Sequence, residues 1–410
     1  MFELSRLEMK KILLPLLFIG LLSGSCDQNK EIAQVIRKRS DLIKEKEAAK
    51  PIITKNPYQV SFNSVTPKYK LETREIVEEF YNNRINRGNF WGQFLVAKNG
   101  QIIFEDYKGY ANYQNKEQIT LTTPMHVASV GKVYTGVTVL RLIQQKKIFL
   151  DQMVHTILPE FPYENISVRM LLNHRTGLPY YGHFTAQKGV WDTRKTITNK
   201  DVLRLLKTKN IRLDFKPDTR FKYCNTNYVV LALIVEKVTQ KPFQDAMKEL
   251  VLEPLKMYNT FVLDNLDNKE NVTQSYYANN SRMRWDYMDG TYGDKNIYTT
   301  ARDLLKLDMA LYSNNFLNEA LKNEMFRGYS YERPGQNNYG LGIRMIEPKD
   351  EGDLFTFHNG WWRGNRTSYV TLRKDTITII CFNNHNSQLA YKTKELAPKL
   401  GNYPYIKVEG

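Results

Sequence analysis

The chain has 410 residues, 42% hydrophobic and 25% charged, with three cysteines and a formal net charge of +16. That is the composition of an ordinary globular protein, long enough for two lobes or for one domain with an insertion. No zinc-finger spacing, RNP aromatic motif or basic-region helix accompanies the charge, which argues against nucleic acid as a partner and leaves a solvated basic surface or attraction to anionic polymers and lipid headgroups.

After Met9-Lys10-Lys11 comes ILLPLLFIGLL, Ile12 to Leu22, an apolar run of eleven residues. It is too short to span a bilayer and suits the apolar region of a signal peptide. Small residues Ser23-Gly24-Ser25 and then Cys26 follow. This resembles a bacterial lipoprotein signal, which implies removal of residues 1–25 and lipidation of Cys26; plain secretion with cleavage at the same site is the other reading. Over residues 26–70, Ile32, Val35, Ile36, Leu42 and Ile43 form a thin helical stripe among charges. That segment reads as a lipid-anchored or flexible tether, and the globular domain is expected over 71–400. Cys224 and Cys381 are expected as buried thiols, a disulfide between them being the alternative in an oxidising compartment.

FLVAKNGQIIFEDYKGYAN (94–112) is two strand-like runs around Asn99-Gly100, a strong hairpin signal. From 129 to about 310 the pattern is mostly helical, as in VGKVYTGVTVLRLIQ, NKDVLRLLK, NYVVLALIVEKVTQ and TARDLLKLDMALY. Strands return after 339 in YGLGIRMI, LFTFHNG, TSYVTLR and TITIICFNN. Strands, then helices, then strands imply an α+β fold: one sheet built from both ends of the domain, flanked by helices, with an all-helical lobe inserted over about 150–310.

Within HVASVGKVY, Ser129 and Lys132 stand three apart where a helix begins. On a helix these positions share a face, so both side chains can enter one cleft. Backbone N–H groups and the positive helix end lie near such a serine, and a desolvated lysine there can serve as a base. On this pair alone, a surface helix start with an exposed lysine explains the sequence as well. Tyrosine followed two residues later by asparagine is common in this chain, but Tyr223-Cys224-Asn225 alone combines a preceding turn with a long apolar helix directly behind it. That places Tyr223 and Asn225 on a loop at a helix start, suited to a proton relay and an amide contact. His358-Asn359-Gly360 ends an alternating run; Gly360 removes a side chain where a substrate approaches backbone. Asn173 and His174 read as loop organisers. The G-x-S-x-G elbow, H-E-x-x-H and a P-loop are missing, and the scattered histidines have no ligand spacing, so neither a metal nor another cofactor is expected.

Taken in order, HVASVGKVYTG, VRMLLNHRTGLP, FKPDTRFKYCNTNY, YTTARDLL, YGLGI and HNGWWRGNRTSYV resemble the serine β-lactamase and penicillin-binding-protein superfamily. The likeness is greatest to its branch of class C β-lactamases, DD-carboxypeptidases and esterases. The resemblance implies an antiparallel sheet flanked by helices, an all-helical lobe, and a site between them. It implies Ser129 as acylated nucleophile, Lys132 as its base partner, Tyr223 as proton relay and Asn225 as holder of the substrate amide. By the same resemblance His358 stands at the head of the sheet-strand motif, beside Asn359, Gly360 and Trp361, and the N–H groups of Ser129 and Trp361 are expected to form the oxyanion hole. Family β-lactamases carry Lys-Thr-Gly on that strand; His358 is a weaker cation and Asn359 lacks the hydroxyl, which disfavours efficient β-lactam hydrolysis. The expected activity is therefore hydrolysis of an ester or amide, either a D-amino-acid peptide of the cell wall or a small ester. β-Lactamase action and a non-catalytic binding protein on the same fold are the alternatives. The expected partners are a small-molecule or peptide substrate, with peptidoglycan as one candidate, and a membrane through the lipid anchor. The expected location is the periplasmic side of a bacterial cell envelope.

Overall fold

A computed structural model describes residues 57–406, with 59, 89, 349 and 350 excepted. The signal-peptide and Cys26 expectations, and most of the tether, lie outside the described residues. Residues close to the tether's expected end lie against the fold. The Tyr58 ring meets Phe316 edge-on at 5.4 Å, Phe62 meets Tyr312 in the same way, and Asn99 donates to the Asn63 carbonyl.

Helix α1, Pro67–Phe80, starts at Thr66, whose hydroxyl accepts the Tyr69 N–H while proline fills the first turn. Its buried face is Thr73, Val77 and Phe80. Strands β1 (Gly92–Lys98) and β2 (Gln101–Lys108) form the expected hairpin. Asn99 and Gly100 both take positive φ, 53° and 72°, the conformation a tight two-residue turn demands. Short β3 (Tyr110–Asn112), β4 (Glu117–Gln118) and β5 (Met125–His126) lead into α2, Gly131–Gln144.

The helical lobe is centred on α4, Thr226–Thr239, in which every residue from Thr226 to Val235 is buried. A helix apolar on all sides needs cover on all sides, and α2 and α3 (Asn199–Thr208) supply part of it. The lobe also carries short strands. β6 (Phe261–Val262) and β7 (Ile297–Thr299) join β5 in a small antiparallel sheet, just before α5, Ala301–Ala310.

The expected strand in YGLGIRMI is instead an edge hairpin, β8 (Asn337–Tyr339) and β9 (Arg344–Ile346). Gly342, at φ +85°, turns the chain between them, and a side chain there would meet the Lys132 carbonyl at 3.1 Å. Then follow β10 (Phe355–Trp362), β11 (Asn365–Leu372) and β12 (Ile377–Asn383). The main sheet has seven strands in the order β2-β1-β12-β11-β10-β9-β8, antiparallel throughout. β1 pairs with β12, from Gly92 opposite Asn383 to Lys98 opposite Ile377, so both ends of the domain close one sheet. One face packs on α1 through Phe94, Val96 and Cys381; the other packs on α2, α5 and the lobe. Cys224 belongs to the lobe-side core and Cys381 to the α1-side core, and both are free thiols.

Candidate active site

The turn Ala128–Val130 runs directly into α2, which puts Ser129 at the positive end of that helix. Ala128 has φ 48°, a conformation an L-residue other than glycine adopts only when its surroundings fix it. Two hydrogen bonds fix it here. The Ala128 N–H donates to His126 Nδ1 at 3.1 Å, and the Thr367 hydroxyl donates to the Val127 carbonyl at 2.7 Å. Ser129 is left half-buried. One turn on, Lys132 is fully buried, which removes the surface-helix reading of the pair. Its Nζ lies 3.0 Å from Ser129 Oγ and donates to the Asp294 carbonyl at 2.7 Å. The rings of Tyr223 and Tyr228 complete its surroundings at 5.1 and 5.6 Å.

Tyr223 sits on the loop before α4, as its sequence context suggests. Its ring is held by His174, centroid to centroid 4.4 Å, and faces His358 at 6.2 Å. His174 is an organiser in a concrete sense. Its Nδ1 accepts from the Cys224 N–H at 3.2 Å and from Asn227 Nδ2 at 3.0 Å, fixing the loop to α4. Burial, with Lys132 nearby, holds its imidazole well below its usual pKa, so it stays neutral. Asn225 occupies the N-cap position of α4 without capping it, and its Oδ1 is buried with no hydrogen-bond partner among the described residues. An orphaned acceptor of this kind costs about 1–3 kcal/mol unless a ligand N–H reaches it.

β10 forms the opposite wall. His358 is fully buried, its Nδ1 donates to the Asn359 carbonyl at 2.9 Å, and its Nε2 accepts from the Tyr339 hydroxyl at 3.1 Å. Burial first, then Arg344 and Lys132, holds this imidazole well below its usual pKa, so the head of the strand is uncharged. Asn359 Oδ1 accepts from Ser368 Oγ at 3.0 Å. At Gly360 a β-carbon would lie 2.5 Å from the Val127 carbonyl, so glycine is needed for the Ser129 turn to rest against the strand. Trp361, next in line, leaves 67% of its surface exposed at the rim. The structure thus brings Ser129, Lys132, Tyr223 and His358 into one cluster, with Asn225, Gly360 and Trp361 around it.

Sequence reasoning missed the segment that supports this cluster. Lys295 is buried, donates to the Tyr181 hydroxyl at 2.7 Å and to Thr291, and lies 3.5 Å from Asp294 Oδ2 and 4.6 Å above the Trp362 ring. It secures the residue whose carbonyl holds Lys132. A second chain of bonds starts at His126, whose Nδ1 is an acceptor, so its Nε2–H donates to Asn296 Oδ1 at 3.2 Å. Asn296 donates to the Asp289 carbonyl, and Asp289 Oδ1 accepts Trp362 Nε1–H at 2.5 Å. The nucleophile turn and the end of β10 are therefore tied through one loop. Nothing in the local spacing of GTYGDKN announces this.

A sheet closed from both ends, a helical lobe and a buried lysine beside a serine where they meet are the marks of a hydrolase of the β-lactamase-related class. The chain belongs to the Beta-lactamase family, whose model matches residues 89–397. It is 26% identical over 339 residues to a penicillin-binding protein of Bacillus subtilis (strain 168), covering 79% of this chain and 74% of that one. It is 24% identical over 299 residues to the teichoic acid D-alanine hydrolase of Staphylococcus aureus (strain NCTC 8325 / PS 47), covering 72% of this chain and 70% of that one. The crystal structure of a penicillin-binding protein from Bacillus halodurans superposes with a TM-score of 0.65 at 24% identity, over 80% of this chain and 98% of that one, which shows the shared fold.

Proposed function

We propose that this protein is an exported serine hydrolase that passes through a Ser129 acyl-enzyme on a D-amino-acid ester or amide of the cell wall. The observation that carries the reading is the buried Lys132, with Nζ 3.0 Å from Ser129 Oγ and, among the described residues, no carboxylate bonded to it. A buried cation without a paired acid is costly, and a lysine so placed is suited to accept the serine proton. Ser129 Oγ attacks the carbonyl while Lys132 takes its proton. The developing oxyanion is met by the N–H groups of Ser129 and Trp361, each next in sequence to a residue of the close Ala128–Gly360 contact. Tyr223 passes the proton to the departing alcohol or amine, Asn225 Oδ1 accepts the substrate amide N–H, and water releases the acyl group. The D-configured substrate class is supported by the printed activity of the staphylococcal relative. Export and lipid attachment at Cys26 rest on the apolar run and small residues before it. In this reading that lipid attaches the protein to an envelope membrane, with residues 71–400 as the catalytic domain; among the described residues no helix is long and apolar enough to cross a membrane.

The test is intact-mass spectrometry of the protein after incubation with a penicillin and, separately, with an activated short-chain ester, with Ser129→Ala as control. A penicillin adduct lost in the variant favours a wall peptidase, and ester turnover without an adduct favours an esterase. Absence of both leaves a binding protein on the same fold and removes Ser129 as nucleophile.

A further inference from the structure

Helix α2 carries Ser129 just before its first residue, and its other end closes where the chain enters the described fold. There Gln144 Nε2 donates to the Phe316 carbonyl at 3.1 Å, and Gln144 Oε1 accepts the Asn318 N–H at 2.7 Å. Asn315 Nδ2 in turn donates to the Pro57 carbonyl at 3.0 Å. The Arg141 guanidinium lies 5.3 Å from the Tyr58 ring and 4.9 Å from that of Phe316. Pro57, where the tether joins the fold, is thus pinned at the C-terminal end of α2.

The loop that leaves α2 at this corner exposes both charge and apolar surface. Lys146 takes φ 57° with its N–H on the Ile143 carbonyl at 2.9 Å, and the Lys147 N–H donates to the Leu142 carbonyl at 3.0 Å. Their backbones close the helix. Their side chains are exposed, and among the described residues neither has an ion pair or a side-chain hydrogen bond. Ile148 turns into the core, but Phe149 leaves 61% of its surface exposed, more than any other phenylalanine among the described residues. The turn that holds it is fixed, since its N–H donates to Gln152 Oε1 and its carbonyl accepts the Gln152 N–H, both at 3.2 Å. Met153, just beyond, is exposed as well. Of the acids in these segments, Asp151 is bonded by Arg169 at 2.7 and 2.9 Å, and Glu319 has Lys322 one turn on.

Lysines at a helix C-terminus complement the helix dipole, and a single exposed phenylalanine is ordinary on any surface. Neither fact accounts for their meeting where the tether joins. Two unpaired cations beside an apolar ring suit anionic headgroups: the ring enters the interface while the lysines keep their charge in the headgroup layer. An anionic polymer would meet the cations but offers no apolar phase for Phe149 and Met153. We propose that Lys146, Lys147, Phe149 and Met153 form a docking surface for an anionic lipid bilayer. This rests on the reading of Cys26 as lipid-bearing, which makes the second contact intramolecular, so that a weak surface suffices. The 14 residues of α2 rise about 21 Å. With the C-terminal end of α2 on the bilayer, Ser129 is carried at the other end, away from the lipid surface.

The experiment sediments the chain from Cys26 to Gly410, made without lipid, with vesicles of phosphatidylcholine alone or mixed with phosphatidylglycerol. The docking surface predicts binding to the mixed vesicles that added salt weakens. Lys146→Gln and Lys147→Gln should each lower the partition coefficient about fivefold, and Phe149→Ser about tenfold. Thermal unfolding midpoints equal to that of the parent show that the variants are folded. No binding to the mixed vesicles, or binding untouched by all three substitutions, overturns the surface. Loss with the lysine substitutions but not with Phe149→Ser assigns the corner to an anionic polymer and overturns the membrane assignment. Intact mass of the protein recovered from cell envelopes tests the anchor separately. Lipid on Cys26 with three neutral substitutions sinks the docking surface alone, whereas a bare Cys26 with substitutions that still release the vesicles sinks the anchor alone.

Discussion

Gly360→Ala tests whether the nucleophile turn is positioned by its contact with β10. The added methyl would lie 2.2 Å from Thr367 Oγ1, 2.5 Å from the Val127 carbonyl oxygen and 3.0 Å from the Ala128 β-carbon. Thr367 can rotate away, at the loss of its 2.7 Å hydrogen bond to Val127. The Val127 carbonyl is backbone, and ordinary contact requires it to retreat by about 1 Å. Overpacking of this kind costs about 1–3 kcal/mol, and the lost hydrogen bond about 1 kcal/mol more. A shift of about 1 Å in a reacting group costs on the order of 100-fold in rate. The expected result is a fall of roughly 2–4 kcal/mol in unfolding free energy by urea denaturation. A fall of about two orders of magnitude in acylation rate by an activated ester should accompany it in stopped flow. Gly335→Ala is the control, because nothing lies closer than 4.0 Å to its β-carbon position. A Gly360→Ala protein that acylates within twofold of the parent and keeps its stability would refute the argument that the turn is seated on this strand.

Lys295→Met leaves the Asp294 carboxylate fully buried with the Tyr181 hydroxyl as its remaining side-chain donor, at 3.0 Å. Breaking a buried pair on one side costs about 3–5 kcal/mol. The added Asp294→Asn change should recover much of that loss in urea denaturation, and a single variant costing under about 1 kcal/mol would count against a true ion pair. Three buried histidines set an acid limit. His126, His174 and His358 all have folded pKa values below the ordinary 6.5, each because of burial first, with His126 lowered to about 3. The unfolded chain takes up protons first, so their contribution is fully present above pH 6.5 and is lost as pH falls below it, for His126 until about 3. Each approaches a slope of about 1.4 kcal/mol per pH unit, so between pH 6 and 5 the three together should remove several kcal/mol. Denaturation curves that stay level from pH 7 to 5 would contradict neutral burial of these rings.

The sequence by itself determined the layout. Hydrophobic periods of two and of 3.6 residues are local properties, and the Asn99-Gly100 turn is a local conformational demand, so the first hairpin, the main helices and the sheet closed from both ends were legible. The reactive set was legible only because segments of known order resemble a family; Ser129 and Lys132 alone were equally consistent with a surface helix. Tertiary structure decided the rest, because burial, charge pairing and close approach arise between residues far apart in the chain. It split YGLGIRMI into an edge hairpin, since Gly342 must pass close to the Lys132 carbonyl. It set Cys224 and Cys381 in separate cores as free thiols. It placed Asp294 and Lys295 behind Lys132, more than 160 residues away in sequence. Among the described residues it left Arg344, over the Tyr223 ring, without an acid partner. Residue identity says that an arginine carries a charge; only packing decides whether an acid of the same chain stands beside it.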